Sequence, residues 1–399
     1  MLRAEIRFVL PQNRFSLSLP FQLRTFPGMQ PTHTPRGAMQ ALSCYLCFAI
    51  VLLTACSSAR TQDSIAAGAA APTTASSLAN QLAGIDALEG SLTPVRDPSI
   101  ARQGNTWYLF STDAGDPTRL GFVPIRCSAD QQTWQVCGHV FATLPAWIHD
   151  AVPHAAGLWA PDISYFGGEW HLYYAASSLL SQRSAIGVAT SPTLDPAAPG
   201  YGWTDHGMVI SSAPGDDFNA IDPNIILDAN GAPWLNYGSF WSGIKQQPVD
   251  AASGKLVPGA ARAQLAGSPY TSDHAIEAAS EISHDGFYYL FASTGHCCAA
   301  SFAGDDYQEI VGRSTSIHGP FLDQAGVDLM LGGGTVMLSG GTRWVAPGSA
   351  TAWTDAATGH SMLVFHALDR TSNGDATLWM QQITWLGDWP VLVPVTDAP

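Results

Sequence analysis

Four acidic side chains each sit in a short apolar setting upstream of an aromatic or apolar run: Asp97 in Val-Arg-Asp-Pro, Asp162 in Trp-Ala-Pro-Asp, Asp222 in Ala-Ile-Asp-Pro and Glu277 in Ala-Ile-Glu-Ala. Carboxylates that face one another in a partly desolvated pocket cannot all ionise easily, so one is pushed toward the neutral acid while another keeps its charge. That divergence makes a proton donor and a proton acceptor. Cleaving a glycosidic bond needs both, an acid to protonate the leaving oxygen and a carboxylate to activate water or attack the anomeric carbon. Clustered acids can also bind Ca²⁺, which takes oxygen ligands. Trp159, Tyr165, Tyr237, Phe240 and Trp241 lie near the acids in sequence, and their flat faces suit sugar rings as well as core packing. The sequence holds no Asp-x-Asp-x-Asp calcium loop, Ser-centred nucleophile elbow or zinc-spaced cysteines, and the glycines at 332–334 lack the Lys of a phosphate loop.

The elements that must position these acids repeat. Strands begin at Trp107, Trp170, Trp234, Phe287 and Met362, at intervals of 63, 64, 53 and 75 residues, and most follow a small turn such as Gly167-Gly-Glu or His284-Asp-Gly. Between Leu92 and Val395 the sequence shows no 3.6-residue apolar stripe. A β-sheet unit of roughly 60 residues repeated five times predicts an all-β, five-bladed β-propeller. A pair of β-sandwiches or a β-helix are the alternatives. The four acids precede their strands by 10, 8, 12 and 10 residues. In a propeller, equivalent positions of successive innermost strands converge on one axis, so acids in register with the repeat would share one cavity.

Composition narrows the partners. The net charge is −15 and only Lys245 and Lys255 are lysines, so no patch could neutralise a phosphate backbone and nucleic acid is excluded as the main partner. Ala41 to Ala55 is an apolar stretch of signal-peptide length, and Leu53-Thr-Ala-Cys56 resembles a bacterial lipobox. This divides the chain into an extension with signal (1–55), an Ala/Ser/Thr-rich tether (56–90) and a catalytic domain (91–399). Cys56 would be the first mature residue, lipidated, making the protein exported and anchored to the cell envelope, with membrane contact only through that lipid. The alternative is a soluble secreted protein, and translation starting at Met29 or Met39 would make the first segment an artefact. Cys127 and Cys137 flank a predicted hairpin turn and can pair. Adjacent Cys297-Cys298 reads as buried packing. Nothing suggests a coiled coil, so a monomer is expected.

Seven runs together resemble glycoside hydrolase family 43, specifically its endo-1,5-α-L-arabinanases, over about Thr93 to Val395. They are Val95-Arg-Asp-Pro98, Leu158-Trp-Ala-Pro-Asp-Ile-Ser164, Arg183-Ser-Ala-Ile-Gly187, Trp203-Thr-Asp-His-Gly207, Ala220-Ile-Asp-Pro-Asn224, Gly238-Ser-Phe-Trp-Ser-Gly243 and Gly332-Gly-Gly-Thr335. The resemblance implies a five-bladed propeller that hydrolyses α-1,5-linked arabinan by inversion. It makes Asp97 the general base, Glu277 the general acid and Asp222 the third carboxylate, which orients the acid and keeps its proton on. Asp162 would shape the pocket or bind sugar. Asn219, Ala220, Ile221 and Ser239 would line the sugar site with Trp159 and Trp241, and His366 would help hold a metal ion, usually calcium, in the channel. Four positions depart from the family pattern: Arg96 stands for a His before the base, Ala278-Ala279 for Pro-Phe after the acid, Leu179-Leu180 for Phe-Gly, and Ser349 for a His. Glu281 and Glu309 are rival acids off the repeat position. Other expectations are an exo-acting α-L-arabinofuranosidase, a β-xylosidase, or a non-catalytic carbohydrate-binding lipoprotein.

Overall fold

Short strands rich in aromatic and β-branched residues, separated by turns that only Gly, Asp or Asn adopt readily, fold into antiparallel meanders. Between Ile276–His284 and Phe287–Thr294, for example, Asp285 and Gly286 both take positive φ, the two-residue hairpin geometry that matches strand twist. In this computed structural model, residues 88–113, 121–269, 271, 273–297, 306–372 and 374–394 are described. The signal, Cys56, Cys298 and nearly all of the tether lie outside them. The chain divides into units Met1–Ala69 and Ala70–Pro399, and every described residue belongs to the second.

Five sheets follow in chain order, with innermost strands Ser99–Gln103, Leu158–Phe166, Asn224–Leu227, Ile276–His284 and Trp344–Thr354, and the first sheet also takes Glu89–Gly90 onto its outer edge. These inner strands touch in a ring, the fifth against the first. The expected five-bladed propeller is therefore present. The last blade is built wholly from the C-terminal strands, so the ring closes without sharing a strand. Val95 N–H donates to Ala376 O (3.0 Å), Leu378 N–H to Leu92 O (2.9 Å) and Thr351 Oγ1 to Pro98 O (2.8 Å). The apolar core is split into layers between neighbouring blades. Leu88, Val95, Ile100, Leu109 and Trp134 of the first blade, for instance, pack on Met362, Val364, Leu378 and Met380 of the fifth.

A second repeat fixes the channel. Each inner strand has positive φ at an equivalent residue, Asp97, Ala160, Asp222, Ala278 and Ser349, and the fifth also at Ala346. Two residues further on, a polar side chain reaches the next blade. Ser99 Oγ accepts from Ile163 N–H, Asp162 Oδ2 from Ile225 N–H, Asn224 Oδ1 from Glu281 N–H and Ser280 Oγ from Ala352 N–H, at 2.9–3.1 Å, while Thr351 completes the circle onto Pro98. This corrects the register expected for the four acids. Asp97 and Asp222 are equivalent, Glu277 stands one residue earlier and Asp162 two later. Distance to the next strand misled because the inner strands carry bulges at Trp159/Asp162, Glu277/Ser280 and Gly348/Thr351.

One six-residue helix, Ala146–Ala151, interrupts the strands where none was expected. Among the described residues no helix is long and apolar enough to cross a membrane. Cys127 and Cys137 form a disulfide. Cys297 is also disulfide-bonded, where packing alone was expected.

Candidate active site

Asp97 is placed by its approach. Buried Arg126 donates to Ser91 O, Pro94 O and Ser111 Oγ, which fixes the segment leading into the first inner strand. Thr112, at the end of that blade's second strand, donates its hydroxyl to Asp97 Oδ2 and accepts Ala160 N–H (2.8 Å), joining the first acid to the second blade. Asp97 N–H donates to His366 Nδ1 (3.2 Å). Asp222, from the third blade, accepts Ala278 N–H at 3.2 Å, the amide just after Glu277. Glu277 accepts Ser239 Oγ–H at Oε2 (2.8 Å) and Tyr307 O–H at Oε1 (3.0 Å). Asp97, Pro161, Asp222, Ala278 and Ser349 thus bring all five blades to one hollow of about 20 Å³, room for one water-sized molecule at its floor.

The three carboxyls are not equivalent. Burial pushes the Asp222 pKa well above the ordinary carboxylate range, and the negative charges of Glu277 and Asp97 push it further against the opposing Ala278 N–H. Burial also raises Glu277, opposed by the Ser239 and Tyr307 hydroxyls. These buried neighbours therefore hold protons where free carboxyls would not. Asp97 is the more open group, its side chain 18% exposed. His296 lies nearby. Its ring lies between Asp306 (3.0 Å) and Asp273 (2.5 Å), whose hydrogen bonds raise its pKa, and it favours the charged form of Glu277.

The remaining expected site residues separate by exposure. Trp241 is 37% exposed and, with Phe240, held at positive φ, a strained conformation for aromatic residues. Phe240 N–H on Ile276 O (2.9 Å) pins that loop beside Glu277. Trp159 is half-buried against the core between the second and third blades. Ser239, expected against sugar, is buried and spends its hydroxyl on Glu277. Asn219 and Ile221 are buried and Ala220 wholly so, which leaves Ala220 no side-chain surface for a ligand. Asp162 is enclosed, with Ile225 N–H, Asn224 Nδ2 and Ser164 Oγ on its oxygens, and burial lifts its pKa to about 6. It shapes the ring of blades. Thr112, Tyr307 and His296 escaped the sequence reading because each acts across a turn or a blade, where spacing carries no signal.

The model of glycosyl hydrolases family 43 matches residues 92–390. The chain belongs to this family. Over 308 residues it is 38% identical to an extracellular exo-alpha-(1->5)-L-arabinofuranosidase of Cellvibrio japonicus, covering 74% of this chain and 85% of that one. Over 297 residues it is 36% identical to an extracellular endo-alpha-(1->5)-L-arabinanase of Bacillus subtilis, covering 74% and 87%. Among solved structures, the alpha-L-arabinanase of Cellvibrio cellulosa complexed with arabinohexaose superposes with a TM-score of 0.68 at 37% identity, over 75% of this chain and 96% of that one. As a family 43 member the chain is a glycoside hydrolase.

The metal expected at His366 can be tested on the residues present. His366 is fully buried, its Nε2 has no partner, and burial lowers its pKa to about 4, so the ring is neutral. Nδ1 accepts the Asp97 N–H and lies 3.7 Å from Asp97 Oδ1, so the neutral ring carries its hydrogen on Nε2 and offers a metal no free lone pair in this arrangement. Among the described residues no group of three His, Cys, Asp or Glu could hold an ion. As they stand, the residues around His366 do not fit a metal site.

Proposed function

We propose that the chain hydrolyses α-1,5-linked L-arabinan inside the polymer, by inversion. Asp97 takes a proton from a water seated in the hollow, and the water oxygen bonds to the anomeric carbon as the glycosidic bond breaks. Glu277 gives its proton to the departing sugar oxygen, so atoms and charge balance. Asp222, whose oxygen accepts the amide just after Glu277, orients that acid toward the departing oxygen. Exposed Trp241 offers a flat face to a sugar ring. The observation that carries this reading is that Asp97 and Asp222 line one hollow, with buried Glu277 beside Ala278 of its wall, close enough for the three charges to act on one another.

An exo-acting arabinofuranosidase is the second reading, favoured by the name of the Cellvibrio japonicus relative. Comparing debranched arabinan, an aryl arabinofuranoside and xylo-oligosaccharides separates the two and also tests for xylosidase activity. A rapid fall in arabinan viscosity supports internal cleavage, and release of short products without it supports cleavage from the end. Binding without fragments would make the protein a non-catalytic module. We also propose that the protein is exported, as the word extracellular in the relatives' names suggests, and lipid-anchored at Cys56. Fatty-acid labelling abolished by Cys56→Ala tests the anchor.

A further inference from the structure

Three neighbouring strands of the fourth blade carry a polar row that the reaction above does not use. Glu277 pairs with Ser293, and Ser293 pairs with Glu309 on the next strand, Gln308–Ser314. Directly opposed residues in antiparallel strands point to the same face, so the row runs from Glu277 into the blade. Ser293, Glu309 and Tyr307 are wholly buried. Ser293 Oγ lies 2.7 Å from Glu309 Oε2 and accepts Ser349 N–H at 2.8 Å. Tyr307 interacts with the same Ser293 hydroxyl and donates to Glu277 Oε1. Gly348 covers this group. A Cβ there would come within 2.5 Å of Tyr307 Cε1 and 2.8 Å of Ser293 Oγ, so the fifth blade can close over the row only with glycine.

We propose that Glu309 is a positioning residue, the buried end of a polar chain Glu309–Ser293–Tyr307 that sets the acid strength of Glu277. The proposal rests on Glu277 being the general acid. Burial pushes the Glu309 pKa up to about 8, against Ser293 and the Ala350 N–H, so the group is neutral at neutral pH. A neutral Glu309 directs its O–H at Ser293 Oγ, which frees the Ser293 hydrogen for the Tyr307 oxygen, and Tyr307 donates to Glu277. Each hydroxyl that accepts becomes a better donor. The chain therefore stabilises the carboxylate left on Glu277 once its proton has gone to the sugar oxygen. An ionised Glu309 would draw the Ser293 hydrogen to itself and break that direction. The other titratable groups bearing on Glu277 are Asp97, Asp222 and His296.

The test is the pH profile of kcat and kcat/KM on debranched arabinan for the full chain, with thermal melting as a check on folding. Ser293→Ala and Glu309→Leu should raise the alkaline limb by about one unit and lower kcat on arabinan about tenfold, the scale of one charge-assisted hydrogen bond. Activity on an aryl arabinofuranoside with a good leaving group should change little. Glu309→Gln, whose amide can donate to Ser293, should restore the limb. A folded Ser293→Ala enzyme with an unmoved limb would overturn the proposal, as would a Glu309→Gln limb displaced as far as that of Glu309→Leu. If Glu309→Leu does not fold, Ser293→Ala carries the same comparison. Glu277→Gln separates the two levels. If that variant still cleaves arabinan the acid assignment is wrong, whereas an inactive Glu277→Gln beside an unmoved Ser293→Ala limb sinks the chain alone.

Discussion

Replacing Asp162 by Ala distinguishes a brace between blades from a sugar ligand. The substitution strands two buried donors, Ile225 N–H and Asn224 Nδ2, which lie 3.0 and 3.1 Å from the carboxylate. Each buried donor left unsatisfied costs roughly 1–3 kcal/mol, giving a loss of about 2–6 kcal/mol with little room for water to repair it. For a domain of this size, 1 kcal/mol moves the melting temperature by about 2–4 °C. The variant should therefore melt on the order of 5–20 °C lower, by circular dichroism at pH 7. Because the carboxylate is enclosed at 4% exposure, KM for arabinan measured well below that melting point should stay within about twofold, a difference worth under 1 kcal/mol. A variant that melts with the wild type and binds arabinan tenfold more weakly would refute the reasoning and make Asp162 a substrate contact.

Two further outcomes follow from the carboxyl groups. Asp222→Ala should lose most activity on arabinan and least on aryl arabinofuranosides with good leaving groups, because it weakens protonation of the departing oxygen; equal losses on both would mean that Asp222 serves only to bind. Glu309 binds its proton more tightly folded than unfolded, with its pKa raised from 4.5 to about 8, so wild-type stability should fall as pH rises from about 4.5 to 8 and then level off. That shift corresponds to a decline of at most about 5 kcal/mol. Glu309→Gln lacks it, and matching pH dependences of melting in the two proteins would contradict the burial effect.

The propeller was legible because a blade is a local object. A strand such as Phe287–Thr294 announces itself through aromatic residues and an Asp-Gly turn, and five such signals at similar spacing leave few architectures. Asp97, Asp222 and Glu277 were found for the same reason, each lying at the entry of an inner strand. Their exact register was not legible, since a bulge adds residues without changing composition, and Asp162 was grouped with them on spacing alone. Contacts between segments far apart in the chain left no trace in sequence. Thr112 on Asp97, Tyr307 on Glu277 and Gly348 over Ser293 join segments 15, 30 and 55 residues apart, and ordinary Thr, Tyr and Gly residues carry no mark of such a role. Glu309 was set aside as off the repeat, although it sits one strand behind the acid.

The division of labour among Asp97, Asp222 and Glu277 is tested most directly by the anomer released first. Proton NMR of the reducing-end sugars, recorded within the first minutes on debranched arabinan, should show β-configured product from the α-linked chain, with the α form growing in only as the sugar mutarotates. An α product appearing first would contradict attack by an Asp97-activated water and require a covalent sugar–enzyme intermediate instead.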